Sequence, residues 1–209
     1  MPEPLRISKI KHLEKNKRRR DFFTKDASTI AKRILGDYLV MKNKDSFLVG
    51  RIVETESYLG IIDDASHAWG RKITERNRVM YAPGGVIYVY FIYGKYWCFN
   101  IIVSEKENPQ AVLIRALEPL EGIEIMKKNR GVSELKKLTN GPCRWTQAFG
   151  IDKRFLGKSI ESRDLFISLG PYKSFEIVHT KRIGIDYATH SKDSPLRFYI
   201  RGNEFISKG

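Results

Sequence analysis

The stretch Arg51–His67 reads R-I-V-E-T-E-S-Y-L-G-I-I-D-D-A-S-H, and the rest of the chain is organised around it. Its first eight residues have the β-branched composition of a strand. Successive side chains of a strand point to opposite faces, so Glu54, Glu56 and Tyr58 are expected to share one face. A face with two carboxylates and an aromatic ring, followed shortly by His67, is poorly suited to a core and typical of an active site.

The composition is that of a basic globular chain of 209 residues. A hydrophobic share of 42% can fill a substantial core, and the length fits one domain. The formal net charge of +14 favours a polyanionic partner such as nucleic acid, although a well-solvated surface in a basic proteome would also produce it. The two cysteines match no disulfide framework or zinc motif, and no apolar run is long enough to span a membrane. We therefore expect an intracellular protein without membrane contact.

Residues 1–20 are polar and strongly basic, and we expect them to form a flexible arm before a single domain over residues 21–209. Basic arms of this kind add non-specific attraction to phosphates. Apolar spacing predicts an amphipathic helix over Ala27–Leu35. A second helix is predicted over Pro119–Arg130, because proline is favoured in the first turn of a helix.

Strand-forming runs dominate the middle of the chain. They cover residues 38–42, 47–58, 86–93, 96–103 and 111–117, followed by shorter runs at 164–169, 175–179, 182–185 and 195–200. A turn is expected at residues 43–45. Gly94 interrupts the run V-I-Y-V-Y-F-I-Y and predicts a hairpin with Tyr93 at or beside its tip. The pattern predicts a mixed α+β domain built around an antiparallel β-sheet with flanking helices.

Tyr93 is unusual because hairpin tips are normally polar. A large aromatic ring at the turn of a basic protein is a candidate wedge for entering a base stack. The alternative is that the ring folds back against Tyr96 or Trp97, and the residues alone favour neither arrangement.

The candidate chemical groups are few, and they include Glu54, Glu56, His67, Asn100 and Arg115 beside several tyrosines. No nucleophile motif or phosphate-binding glycine loop occurs, and the acidic residues match no metal-ligand spacing, so neither a cofactor nor a metal is expected. A carboxylate can activate water, and aromatic rings can hold a flat base. Together with the basic surface, these groups fit chemistry on a nucleotide that is swung out of a duplex.

Six strings resemble the alkyladenine (3-methyladenine) DNA glycosylase family. They are G-R-I-V-E-T-E-S-Y-L-G, A-S-H, R-N-R-V-M, Y-V-Y-F-I-Y-G-K-Y-W-C-F-N, V-L-I-R-A-L-E-P and P-L-R-F-Y, in the family's order. The resemblance implies a compact domain with a protruding β-hairpin. It also implies a monofunctional enzyme that excises alkylated or deaminated purines from double-stranded DNA.

Three residues match the family's catalytic groups. Glu56 corresponds to the general base that activates the attacking water. Arg115 and the main-chain carbonyl of Ile183 correspond to groups that help to hold this water. Glu54 matches no catalytic role and is expected to be an exposed strand residue paired with Arg51 or a lysine.

Five further residues match positions that contact DNA in the family. Tyr58, His67 and Tyr90 correspond to residues that stack on or touch the flipped base. Asn100 corresponds to the side chain that screens against the exocyclic amine of guanine. Tyr93 corresponds to the intercalating tyrosine, which favours the wedge over the folded-back ring.

Three positions depart from the family's usual pattern. Ser57 stands where alanine is common, Lys95 where methionine is frequent, and Ile61–Ile62 where the loop commonly contains proline. None of these changes removes a catalytic group.

Two other functions fit the residues taken alone. A metal-dependent nuclease would use Glu54, Glu56 and Asp63 or Asp64, and full activity in excess chelator would eliminate it. A non-catalytic basic module would stack its tyrosines on nucleic acid and release no base. The family resemblance favours the glycosylase, which we expect to act as a monomer, in the cytoplasm at the nucleoid of a prokaryote or in the nucleus of a eukaryote.

Overall fold

The computed structural model describes residues 7–43, 46–171 and 174–208. These residues form a single mixed α+β domain, as predicted. The strands are β1 (Tyr38–Asn43), β2 (Ser46–Tyr58), β3 (Ile87–Ile92), β4 (Tyr96–Val103), β5 (Gln110–Glu121), β6 (Leu165–Ser168), β7 (Ile177–Thr180) and β8 (Arg197–Ile200). The helices are α1 (Ile7–Lys15), α2 (Ala27–Arg33), α3 (Ile123–Arg130) and α4 (Pro142–Phe149). Most of the turn predicted at residues 43–45 lies outside the described residues.

The strands form one antiparallel sheet with β2 at its centre. The strand order is β3-β4-β5-β2-β1-β6, and β8 pairs with both β2 and β7. On one side β2 pairs with β5; on the other it pairs with β1 up to Arg51 and with β8 over Glu54–Glu56. The stretch that carries the predicted catalytic face therefore lies in the middle of the sheet.

The pairing between β2 and β5 is irregular beside the acidic residues. Its register skips Val53 on β2 and Arg115 on β5. Such irregularities bend a strand and re-aim its side chains, and they are frequent next to active sites. These two lie where Arg115 meets Glu54 and Glu56.

Helices α2 and α4 pack on the sheet and form the main core with it. Asp26 caps α2 by accepting a hydrogen bond from the amide of Thr29, and Ile30 on this helix is fully buried. On α4, Trp145 is also fully buried, and its indole N–H donates to the carbonyl of Ile114 on β5 at 2.8 Å. Within the described ranges, no helix is long and apolar enough to cross a lipid bilayer.

The start of the chain differs from the flexible arm expected over the first twenty residues. Ile7–Lys15 form helix α1, in which Ile10 and Leu13 are buried. Arg18 follows with a two-pronged ion pair to Asp37 at 2.9 and 3.2 Å. The many cations of this segment conceal two apolar residues three positions apart, which is the spacing of one helix face. Residues 1–6 of the expected arm lie outside the described residues.

Two other elements differ from those predicted. Strand β5 continues through Pro119, so helix α3 begins only at Ile123. Gly122 makes the change of direction with a φ of 74°, and a Cβ there would lie 2.3 Å from a side-chain carbon of Leu48. The segment Arg182–Ile185, predicted as a strand, is an irregular loop.

Candidate active site

A cavity of about 480 Å³ gathers most of the predicted site residues. Seven of the eight line it, namely Tyr58, His67, Tyr90, Tyr93, Asn100, Arg115 and Ile183. Glu56, the eighth, is fully buried and contacts three of these lining residues. The fold therefore brings together groups that lie up to 127 positions apart in the chain.

Both carboxylate oxygens of Glu56 are held in place. Oε1 accepts a hydrogen bond from the main-chain N–H of Ile183 at 2.8 Å and lies 3.2 Å from Nη1 of Arg115. Oε2 accepts a hydrogen bond from the hydroxyl of Tyr58 at 2.9 Å. Burial raises the pKa of Glu56, and these three partners oppose the rise without cancelling it. A carboxylate with a raised pKa is a better proton acceptor near neutral pH.

Arg115 lies between the two glutamates of β2. Its Nε is 3.4 Å from Glu54, and its Nη1 also donates to the carbonyl of Ile183 at 3.4 Å. Burial lowers the pKa of Arg115, but the negative charges of Glu56 and Glu54 more than offset this effect and raise it. The guanidinium therefore stays charged beside the Ile183 peptide.

Glu54 is not the exposed strand residue that was expected. It is fully buried, and it accepts hydrogen bonds from Arg197 at 2.5 Å and from the amide and hydroxyl of Ser207 at 2.6 and 2.8 Å. Arg51, its expected partner, lies 3.6 Å from Glu118 instead. A buried carboxylate requires such partners, because an unpaired one would lose its hydration without compensation.

An aromatic wall forms on the side of His67. The imidazole lies 4.6 Å from the ring of Tyr90, and its Nδ1 is 2.9 Å from the hydroxyl of Tyr88. Burial, together with the positive charge of Arg76, lowers the pKa of His67 to about 4, so the imidazole is neutral at neutral pH. Asn100 lies on the neighbouring strand, and its amide donates to the carbonyl of Tyr88 at 3.3 Å.

Tyr93 occupies the tip of the β3–β4 hairpin with 79% of its surface exposed. Its φ is 53° and that of Gly94 is 62°, and the amide of Lys95 donates back to the carbonyl of Ile92 at 3.2 Å. Two successive positive φ values belong to the type I′ turn, which favours asparagine or aspartate followed by glycine. A tyrosine here is strained, and its ring extends into solvent rather than folding back on the hairpin.

Several residues of the cavity wall were not indicated by the predicted chemistry. Tyr88 lines the cavity, as do Arg76 and the free cysteines Cys98 and Cys143. Tyr187 lies at the wall with 66% of its surface exposed. Arg76, Tyr88 and Cys98 lie inside strings that resemble the family, and this resemblance could have indicated them. Tyr187 and Cys143 lie in segments without a distinctive pattern.

The acidic residues considered for a nuclease have protein partners. Asp63 pairs with Arg182 at 2.6 and 2.8 Å. Asp64 accepts hydrogen bonds from the amides of Thr189 and His190 at 2.6 and 2.8 Å. Over residues 7–43, 46–171 and 174–208, no three His, Cys, Asp or Glu side chains converge in an arrangement suited to a metal ion.

Comparison with known proteins identifies the family. A model of the methylpurine-DNA glycosylase family matches residues 21–204. A protein of Clostridium perfringens (strain 13 / Type A), named "Putative 3-methyladenine DNA glycosylase", is 46% identical over 200 residues, covering 90% of this chain and 98% of the relative. A protein of Clostridium novyi (strain NT) with the same name is 45% identical over 197 residues, covering 90% and 97%. The chain therefore belongs to the methylpurine-DNA glycosylase family.

Proposed function

We propose that the protein flips damaged purines out of double-stranded DNA and hydrolyses their N-glycosidic bond with a water molecule activated by Glu56. Membership of the family makes the protein a DNA glycosylase. The observation that supports the mechanism best is the buried Glu56 carboxylate, whose pKa is raised and whose Oε1 faces both Arg115 and the Ile183 peptide.

In the proposed reaction, water attacks C1′ of the sugar as the bond to the base breaks. The electron pair of that bond leaves with the base, and Glu56 takes the proton of the water. The carbonyl of Ile183 and the guanidinium of Arg115 lie 3.4 Å apart beside the carboxylate, and we assign them to holding the water. The cavity lining described above contains no lysine, which fits direct hydrolysis better than a Schiff-base mechanism.

The aromatic residues supply the proposed site for the base. The rings of Tyr58, His67 and Tyr90 line the cavity, and we assign them to contacts with a flat purine, which enzymes that flip bases hold by stacking. Many alkylated purines carry a positive charge, and aromatic faces attract cations. The neutral His67 adds no repulsion to such a base, because its pKa is lowered to about 4.

Tyr93 and the positive surface supply the proposed contacts with the duplex. The strained, exposed ring at the hairpin tip is suited to entering the stack where the flipped base has left. The net charge of +14 favours the phosphate backbone. We propose that one copy of the chain performs the reaction, at the nucleoid of a bacterial cell, since the relatives named above come from clostridia.

The proposal is tested with a panel of duplexes that each contain one damaged purine: 3-methyladenine, hypoxanthine or ethenoadenine. We expect free base to be released from at least one of them, with the same yield in excess chelator. Binding to the whole panel without release of any base would instead indicate a binding module. Strand cleavage abolished by the chelator would indicate a nuclease.

A further inference from the structure

A second buried charge cluster adjoins the catalytic groups without lining the cavity. Arg182 and Asp63 form a two-pronged ion pair with N–O distances of 2.6 and 2.8 Å, and their side chains are 0% and 1% exposed. The partners lie 119 positions apart in the chain. Removing two charges from water in this way is costly, and additional hydrogen bonds to the remaining donors and acceptors offset part of that cost. Among the described residues, Nε of Arg182 has no such partner.

The surrounding hydrogen bonds join two loops through this pair. Asp63 accepts from the amide of Leu59 at 2.9 Å and from the hydroxyl of Ser191 at 2.8 Å. Arg182 donates to the carbonyl of Ser57 at 3.0 Å and to the hydroxyl oxygen of Ser191 at 3.0 Å. These hydrogen bonds therefore link the loop after β2 to the loop after β7, beside the cavity.

The same pair is directly connected to the groups of the proposed reaction. Arg182 immediately precedes Ile183, whose N–H bonds Glu56 and whose carbonyl accepts from Arg115. Its guanidinium also lies 4.7 Å from the ring centre of Tyr58, which donates to Glu56. Since the segment around Ile183 is an irregular loop, its peptide depends on side-chain anchors for its orientation.

We propose that the Arg182–Asp63 pair positions the catalytic water by fixing the Ile183 peptide against Glu56 and Arg115. Both members are positioning residues, because they act on the proposed reaction only through the Ile183 peptide and the Tyr58 ring. The inference rests on the proposed function. It explains why a protein would keep a fully buried ion pair where apolar side chains of similar size would cost less desolvation.

The test compares three variants of the full chain in single-turnover base release at saturating enzyme. Arg182→Lys keeps the positive charge but loses the two-pronged guanidinium contact with Asp63. Ser191→Ala removes the hydroxyl that bridges Arg182 and Asp63 without changing any charge. Asp193→Asn is the control, because it breaks the exposed ion pair of Asp193 with Lys181 at 2.6 Å on the same loop. We expect Arg182→Lys to slow release by roughly 10- to 100-fold and Ser191→Ala by less, with little change in lesion affinity.

A second readout separates positioning from mere stability. Around Glu56, the charged and titratable groups Arg115, Glu54 and Tyr58 are unchanged in both variants, and position 182 keeps a positive charge. Loss of the N–H bond from Ile183 would therefore move the acidic limb of the rate–pH profile to higher pH.

Two results are decisive. Equal rates and an unmoved acidic limb in Arg182→Lys and Ser191→Ala, relative to Asp193→Asn, would overturn the inference even if thermal stability falls. If Arg182→Lys does not fold, Ser191→Ala decides alone by the same criteria. Absence of release by the wild-type protein would overturn the proposed function itself, and the inference with it.

Discussion

Replacing Tyr93 by asparagine should make the protein more stable and less able to hold damaged DNA. Tyr93 has a φ of 53°, and an L-residue in this left-handed conformation is strained by about 1–2 kcal/mol. Asparagine before Gly94 is the preferred start of a type I′ turn. The ring is 79% exposed, so its removal gives up little burial. We expect Tyr93→Asn to raise the free energy of unfolding by about 0.5–1.5 kcal/mol, and the melting temperature by roughly 2–4 °C per kcal/mol.

The same substitution should weaken binding to a lesion-containing duplex. An aromatic ring stacked on a base contributes about 1–3 kcal/mol, so a loss of roughly 5- to 150-fold in affinity is expected. Tyr93→Phe is the matched control, because it keeps both the ring and the backbone strain. Thermal unfolding and fluorescence anisotropy with damaged and undamaged duplexes measure the two effects. A lower melting temperature of Tyr93→Asn would refute the claim that the Tyr93 backbone is strained. Equal losses of affinity for damaged and undamaged duplexes would refute the claim that the ring enters the base stack.

Three further outcomes are expected. Base release should rise as Glu56 ionises, because only the ionised carboxylate accepts a proton, and burial raises the pKa of Glu56 above its ordinary value. His67→Gln should leave this acidic limb of the rate–pH profile in place, because the pKa of His67 is lowered to about 4. The pKa of Glu56 is higher in the folded than in the unfolded protein, so the folded state binds more protons between these two pKa values. The free energy of unfolding of the wild-type protein should therefore fall as the pH rises through this range. Denaturant titrations of Glu56→Gln should lack this fall. Glu54→Gln should lower the free energy of unfolding by about 3 kcal/mol and slow base release, because Arg115 loses a buried charge partner. An unchanged urea midpoint would contradict the predicted loss of stability.

Local patterns in the sequence predicted the parts of the site that are continuous in the chain. Alternation along β2 placed Glu54, Glu56 and Tyr58 on one face, and their shared contacts with Arg115 and with one another confirm it. Ser57 turns the other way, with its hydroxyl 3.1 Å from that of Ser28 on α2. The alternation predicts the faces of β2 correctly because a strand in the middle of a sheet is buried, and burial fixes which side chains lie on each face.

Partners distant in the chain determined the features that the sequence did not indicate. The sequence did not indicate that Glu54 is buried, because its hydrogen-bond donors Arg197 and Ser207 lie 143 and 153 positions away in the chain. Helix α1 was not predicted because charges surround Ile10 and Leu13. The burial of Leu13 depends on packing against the sheet residues Val40, Val49 and Phe166. Such contacts depend on tertiary structure, which short-range periodicity does not encode.

The most direct test of the proposed mechanism is single-turnover release of 3-methyladenine by Glu56→Gln at saturating enzyme. Glutamine keeps the size of the side chain and an oxygen that can accept from Tyr58 or the Ile183 amide, but it cannot take a proton from water. We expect binding to the lesion duplex to persist while no free base appears above the uncatalysed background. Release at the wild-type rate would contradict the role of Glu56 as the base.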